Sequence, residues 1–137
     1  MNLVVLPEES DAIRACLQSA GFQWNDANHE YRDEGGIAVQ FLLAGDRAGH
    51  GSEVMLPNPG DPETVQVIEG LPAVSLARLI ESKIACGEGS PRRTHKDFAD
   101  VVELIAVHQL HGGFASQLHK SVRQTFRKLV KHARSEG

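Results

Sequence analysis

The chain opens on "MNLVVL", a continuous apolar run that predicts a buried strand. Pro7 ends it. Ser10 is placed to N-cap a helix over "DAIRACLQSAG", where Ile13, Cys16, Leu17 and Ala20 recur at helical spacing before Gly21 stops it. "FQWNDANHEYRDEGG" is polar and turn-rich, with one short strand over residues 29–32. "GIAVQFLLAG" then sets Ile37, Val39, Phe41 and Leu43 on one face and Ala38, Gln40 and Leu42 on the other. Both faces are apolar except at Gln40, which predicts a central strand covered on both sides. A buried Gln40 amide would need a hydrogen-bonding partner in a neighbouring loop, or would mark a cleft.

Residues 46–63 hold glycines, prolines and few apolar side chains, the pattern of a long irregular loop. "TVQVI" alternates as an edge strand or hairpin partner until Gly70 breaks it. "GLPAVSLARLIESKIACG" reads as a short apolar lead-in, Ser75 as N-cap, a helix, and Gly87 as its stop. Its apolar stripe is Leu76, Leu79, Ile80 and Ile84, and Lys83 occupies the position the stripe leaves out. Snorkelling accounts for that lysine, whereas a fully buried ammonium would require a carboxylate or phosphate beside it. "SPRRTHKDFADVVELI" supplies carboxylates: Thr94 and Asp97 have capping-box spacing, and Asp100 borders the stripe of Phe98, Val101, Val102 and Ile105. The short "GEGSPRR" connection predicts antiparallel packing of the two helices and a pair between Lys83 and Asp97 or Asp100.

Composition narrows the function classes. A length of 137 residues fits one domain with its own core, and 41% apolar with 23% charged residues is the make-up of a soluble globule. Aromatic residues at 5% give no base-stacking surface. Cys16 and Cys86 have neither disulfide-framework nor zinc spacing, so both are expected to be reduced and partly buried. No apolar run reaches the ~20 residues of a membrane span and no leader pattern opens the chain. A cytoplasmic location without membrane contact is the expectation.

Charge is polarised. Residues 1–70 carry 12 Asp/Glu against 3 Lys/Arg, net −9, and residues 71–137 carry 6 against 11, net +5. Much of the positive charge lies in "HKSVRQTFRKLVKHAR", where Lys120, Arg123, Arg127, Lys128, Lys131 and Arg134 recur at helical spacing with Glu136 as the sole opposing acid. Either this is a solvated helix face or it meets a nucleic acid or an acidic partner. His108 and His111 lack a third ligand at suitable spacing, so no metal site is predicted, and no Ser-His-Asp or Cys-His arrangement is evident.

"AVQFLLAG", the proline-rich loop, "GLPAVSLARLIESKIACG" and "PRRTHKDFADVVELI" together resemble nucleotidyltransferase-fold proteins of the DNA polymerase beta superfamily, above all the minimal and toxin–antitoxin bacterial nucleotidyltransferases. The likeness spans residues 1–110, and its most specific part is the lysine-bearing helix followed by the Lys-Asp-x-x-Asp helix. It implies an α/β (α+β) fold in which a mixed sheet of about four or five strands packs with helices, with residues 111–137 as a basic helical extension of the same globular unit. Active relatives use a Gly-Ser step, an Asp-x-Asp strand and a third acid to hold two magnesium ions that clamp a nucleoside triphosphate.

By this resemblance Asn2 stands for the second acid and Gln40 for the third. The first acid falls at or before Met1, and no Gly-Ser segment precedes it, so the domain is expected to be truncated at its N-terminus. No catalytic residue is therefore assigned and no cofactor expected. Asn2, Gln40, Lys83, Asp97 and Asp100 become the candidate cleft, and Arg92, Arg93 and Lys96 at a helix start a phosphate-binding candidate. The implied function is a non-transferring nucleotidyltransferase-like protein that binds nucleotide weakly or acts through a protein partner or a second copy paired at the first strand. The alternatives are an active enzyme with magnesium and a nucleoside triphosphate, completed by an upstream segment or second subunit, and a nucleic-acid-binding module using the basic helix.

Overall fold

The computed structural model describes residues 1–135; Glu136 lies outside the described residues. Its elements run β1 (Asn2–Val5), a 3-10 turn (Pro7–Glu9), α1 (Ser10–Ser19), β2 (Gln23–Asn25), β3 (Glu30–Arg32), β4 (Ala38–Leu43), β5 (Val65–Ile68), β6 (Leu71–Val74), α2 (Leu76–Gly89), α3 (Thr94–His108), 3-10 turns at Gly112–Gln117 and Lys120–Val122, and α4 (Arg123–Ser135). The fold is mixed α+β, with a four-stranded sheet in the order β1-β4-β3-β2 and a separate two-stranded sheet, β5-β6.

β1 and β4 pair in parallel with Asn2 opposite Gln40 and Leu3 opposite Phe41, while β3 is antiparallel to both β4 and β2. Side chains alternate across the sheet. Val5, Tyr31 and Val39 are the buried apolar residues of this half, and Trp24, Tyr31 and Phe41 make edge and tilted ring contacts at 5.1 and 5.6 Å. α1 lies on the Phe41 side, where Arg14 sits over the Phe41 ring. β4 is thus central, but it is not covered on both faces: Gln40 is exposed and water can solvate its amide. The short strand β2 also emerges from the stretch expected to be turns around a single strand, because Trp24 packs across from Tyr31.

Four local expectations need correction. Ser10 is the first residue of α1 and donates its hydroxyl to the Pro7 carbonyl, because the preceding 3-10 turn already leads into the helix. Leu71–Val74 is not a mere lead-in: it pairs with β5 across a two-residue turn, Glu69-Gly70, both with positive φ, the backbone of a type I′ hairpin turn. α2 passes Gly87 and runs to Gly89, since Gly87 is buried beneath Phe98 and continues the helix. Thr94 does not cap α3 in N-cap fashion; its hydroxyl donates to the carbonyls of Gly87 and Ser90, tying the start of α3 to the end of α2. Ser75 does cap α2, accepting from the Arg78 amide.

The main core is helical. Ile80, Ile84 and Ala85 of α2, Val101 and Ile105 of α3, Phe126, Leu129 and Val130 of α4, and Ala115, Leu118 and Val122 of the turns before α4 form one cluster with Val54 from the long loop. Phe126 is 0% exposed, and a side chain of that size contributes about 2–3 kcal/mol by leaving water. The C-terminal segment is therefore part of the core. Residues 48–54 press against the end of α2. A Cβ on Gly49 would overlap the Ala85 carbonyl oxygen, and one on Gly89 would lie 2.5 Å from the His50 nitrogen. Both neighbours are backbone and cannot swing away.

Gly49→Ala is accordingly expected to lower unfolding free energy by about 1–3 kcal/mol through forced displacement of the loop, whereas Gly112→Ala, which meets nothing within 4 Å, changes it by less than about 0.5 kcal/mol. Urea denaturation of both variants checks the contrast, and equal effects would contradict the close approach.

Candidate functional site

On the sheet, the parallel register of β1 and β4 places Asn2 and Gln40 side by side, both exposed and on the face opposite Phe41. Two neutral amides therefore stand next to each other at the start of the parallel pair. Amide oxygens carry no net charge, and magnesium relies on charged oxygen ligands to offset its dehydration. This pair does not fit a two-magnesium site.

On the helices, antiparallel packing of α2 against α3 brings Lys83 to Asp100, Nζ to Oδ2, at 2.9 Å. The lysine side chain is 28% exposed and the aspartate 42%, so the stem lies along the helix pair while the ammonium reaches its edge. Asp97 takes a different partner. Its side chain is 2% exposed and accepts from Arg93 Nε and Nη2 at 3.2 and 3.4 Å, one turn earlier. That carboxylate raises the Arg93 pKa, first through the hydrogen bond and then through its charge. Cys86 lies beside the same pair, and its pKa is raised by burial and by the nearby Asp97 charge. Cys86 is half-buried as expected, whereas Cys16 is exposed on α1.

Of the basic groups at the start of α3, Arg93 is engaged by Asp97, while Arg92 and Lys96 are exposed. In the C-terminal segment Lys120, Arg127, Lys128, Lys131 and Arg134 are exposed. Arg123 turns inward and donates to the carbonyls of Leu118 and Ser116 at 3.0 and 3.4 Å. The candidates thus fall in separate places: Asn2 with Gln40 on the sheet, Lys83 with Asp100 and Arg93 with Asp97 on the helix pair, and the remaining cations on α4 and the turn before it. No hydrogen bond or ion pair among the described residues joins the sheet amides to the helix acids.

A cavity of about 280 Å³ opens elsewhere, where residues 50–53 meet the end of α2 and the turn before α4; His50, Ser52, Glu53, Glu88 and Ser121 line it. Burial raises the Glu88 pKa, against the lowering effects of Thr125 and Lys128. Two carboxyl groups at its wall make it a poor receptor for phosphate.

One residue escaped the sequence pattern altogether. Glu81 is 4% exposed; it accepts from Arg78 Nη1 at 2.9 Å and from the backbone N–H of His119. Arg78 also donates to the Gln117 carbonyl. Its one local signal is the Arg-x-x-Glu spacing on a helix; the partner 38 residues away is invisible locally. No helix among the described residues is long and apolar enough to cross a membrane. The chain matches no protein-family model, no curated protein and no solved structure.

Removing Arg93 strands a buried carboxylate, whereas removing Lys83 leaves a half-exposed one. Arg93→Ala is expected to cost about 2–4 kcal/mol and Lys83→Met under about 1 kcal/mol in thermal or urea unfolding; equal losses would contradict the assigned burial. The thiolate is the reacting form of cysteine, so a raised pKa slows alkylation near pH 8. Iodoacetamide is expected to label Cys86 along a pH curve displaced upward from that of a free cysteine peptide, with Asp97→Asn moving it part of the way back because burial is the larger cause. A curve for Cys86 that coincides with the peptide's would refute this.

Proposed function

We propose that the chain is a nucleotidyltransferase-like scaffold that does not transfer nucleotides, related to the toxin–antitoxin type, working in the cytoplasm by binding a partner and holding nucleotide only weakly. One observation carries this reading: Asn2 and Gln40, which the sequence resemblance sets in place of two metal-holding acids, are register partners on adjacent parallel strands. The two positions that must converge in an active relative do converge here, and both are uncharged. A triphosphate brought to this face would find neither the divalent ions nor the carboxylates that clamp it in such enzymes. The Lys83–Asp100 and Arg93–Asp97 pairs supply framework in this reading: each cation is neutralised by its own partner.

Isothermal titration with ATP, GTP, CTP and UTP, with and without magnesium, tests it alongside a labelled-nucleotide transfer assay. The expected result is binding no tighter than the millimolar range, about 4 kcal/mol, unchanged by magnesium and with no label transferred. Micromolar, magnesium-dependent binding or any transfer of label would overturn the proposal.

A further inference from the structure

The outer face of α4 is a concentrated stripe of positive charge, and the nucleotidyltransferase-like reading makes no use of it. Phe126, Leu129 and Val130 anchor one side of the helix in the core. Arg127, Lys131 and Arg134, spaced four and three residues apart, therefore share an outward stripe. Lys120 extends the exposed charge into the preceding turn, and Arg134 is steadied by donating to His111 Nδ1. None of these cations is in an ion pair with an acid among the described residues, unlike Arg32, Arg78, Lys83 and Arg93. Lys128, on the flank, is the one that faces an acid, Glu88.

We infer that this stripe is a docking surface for the phosphate backbone of double-stranded nucleic acid, read without sequence preference. Arg127 to Arg134 spans about 10 Å of helix at 1.5 Å per residue, and its three cations, with Lys120, offer three to four phosphate contacts along a duplex edge. The helix is held by its buried side, so the positions from which the cations project are fixed before binding. Trp24, the exposed aromatic residue, lies on β2 and not on this face, which favours a duplex over single strands that stack on aromatic rings. The acidic half of the chain, net −9 over residues 1–70, repels phosphate and orients the approach toward α4.

Fluorescence anisotropy of a labelled duplex of about 20 base pairs, titrated with the full chain, tests the inference. Three to four phosphate contacts predict that affinity falls about 40- to 150-fold between 50 and 200 mM salt. Lys131→Gln is expected to reduce the log–log salt slope by about 1, and Arg127→Glu with Lys131→Glu and Arg134→Glu to abolish binding, with unchanged circular dichroism and melting showing that the fold survives. The single Gln variant carries the test if the triple variant unfolds. Failure to bind at 50 mM salt, or binding with an unaltered slope in Lys131→Gln, would overturn it. So would equal competition by poly-glutamate of matched charge, which would identify an acidic protein partner instead. The nucleotide titrations read a separate face, so either proposal can fail alone.

Discussion

A single buried carboxylate fixes where the C-terminal third of the chain lies. Burying the Glu81 charge is costly unless it is paired and hydrogen-bonded: Arg78, one turn earlier on α2, pairs one oxygen, and the other is satisfied when residues 117–119 fold back and the His119 N–H donates to it. That return seats Leu118 and Val122, and α4 then lays Phe126, Leu129 and Val130 across α2 and α3. The stability of the molecule is concentrated in this helical cluster. The four-stranded sheet contributes its own smaller set, Val5, Tyr31 and Val39, and is joined to the helices through the long loop at Val54 and the glycine contacts of residues 49 and 89.

The order of elements was legible in the sequence wherever a period ran long enough. α2 and α3 follow from their apolar stripes, α4 from the helical spacing of its cations and β5 from its alternation, whereas β6 was hidden in a segment that read as the lead-in to α2. The Lys83 gap in the α2 stripe pointed to an acid on the next helix, and the structure makes that acid Asp100. What the sequence hid was non-local. Gln40 stands between apolar neighbours, yet the uncovered face of β4 leaves it in water. Asp97 carries capping spacing, yet Arg93 claims its carboxylate. Gly87 looked like a helix stop because nothing local shows that Phe98 leaves no room for a side chain above it. Glu81 went unmarked in the sequence pattern, because its second partner comes from 38 residues downstream.

The cations divide into those the fold pairs and those it leaves facing water. Arg32, Arg78, Lys83 and Arg93 each face an acid within the fold, and the neutral sheet amides do not supply the charged oxygens that magnesium relies on. Arg127, Lys131 and Arg134 of α4 have no such ion-pair partners among the described residues. They form a stripe of cations on one helix, in a chain whose first 70 residues are net negative. Because this helix is also a wall of the core, its charged face is presented at a fixed orientation.

Native-state hydrogen exchange tests the integration of α4 most directly, by comparing opening free energies of amides in residues 80–85, 101–105 and 126–130. The three segments are predicted to open together at the highest free energy in the molecule, above the amides of β2 and β3. Exchange of residues 126–130 as a separate, weakly protected unit, with α2 and α3 still closed, would contradict it.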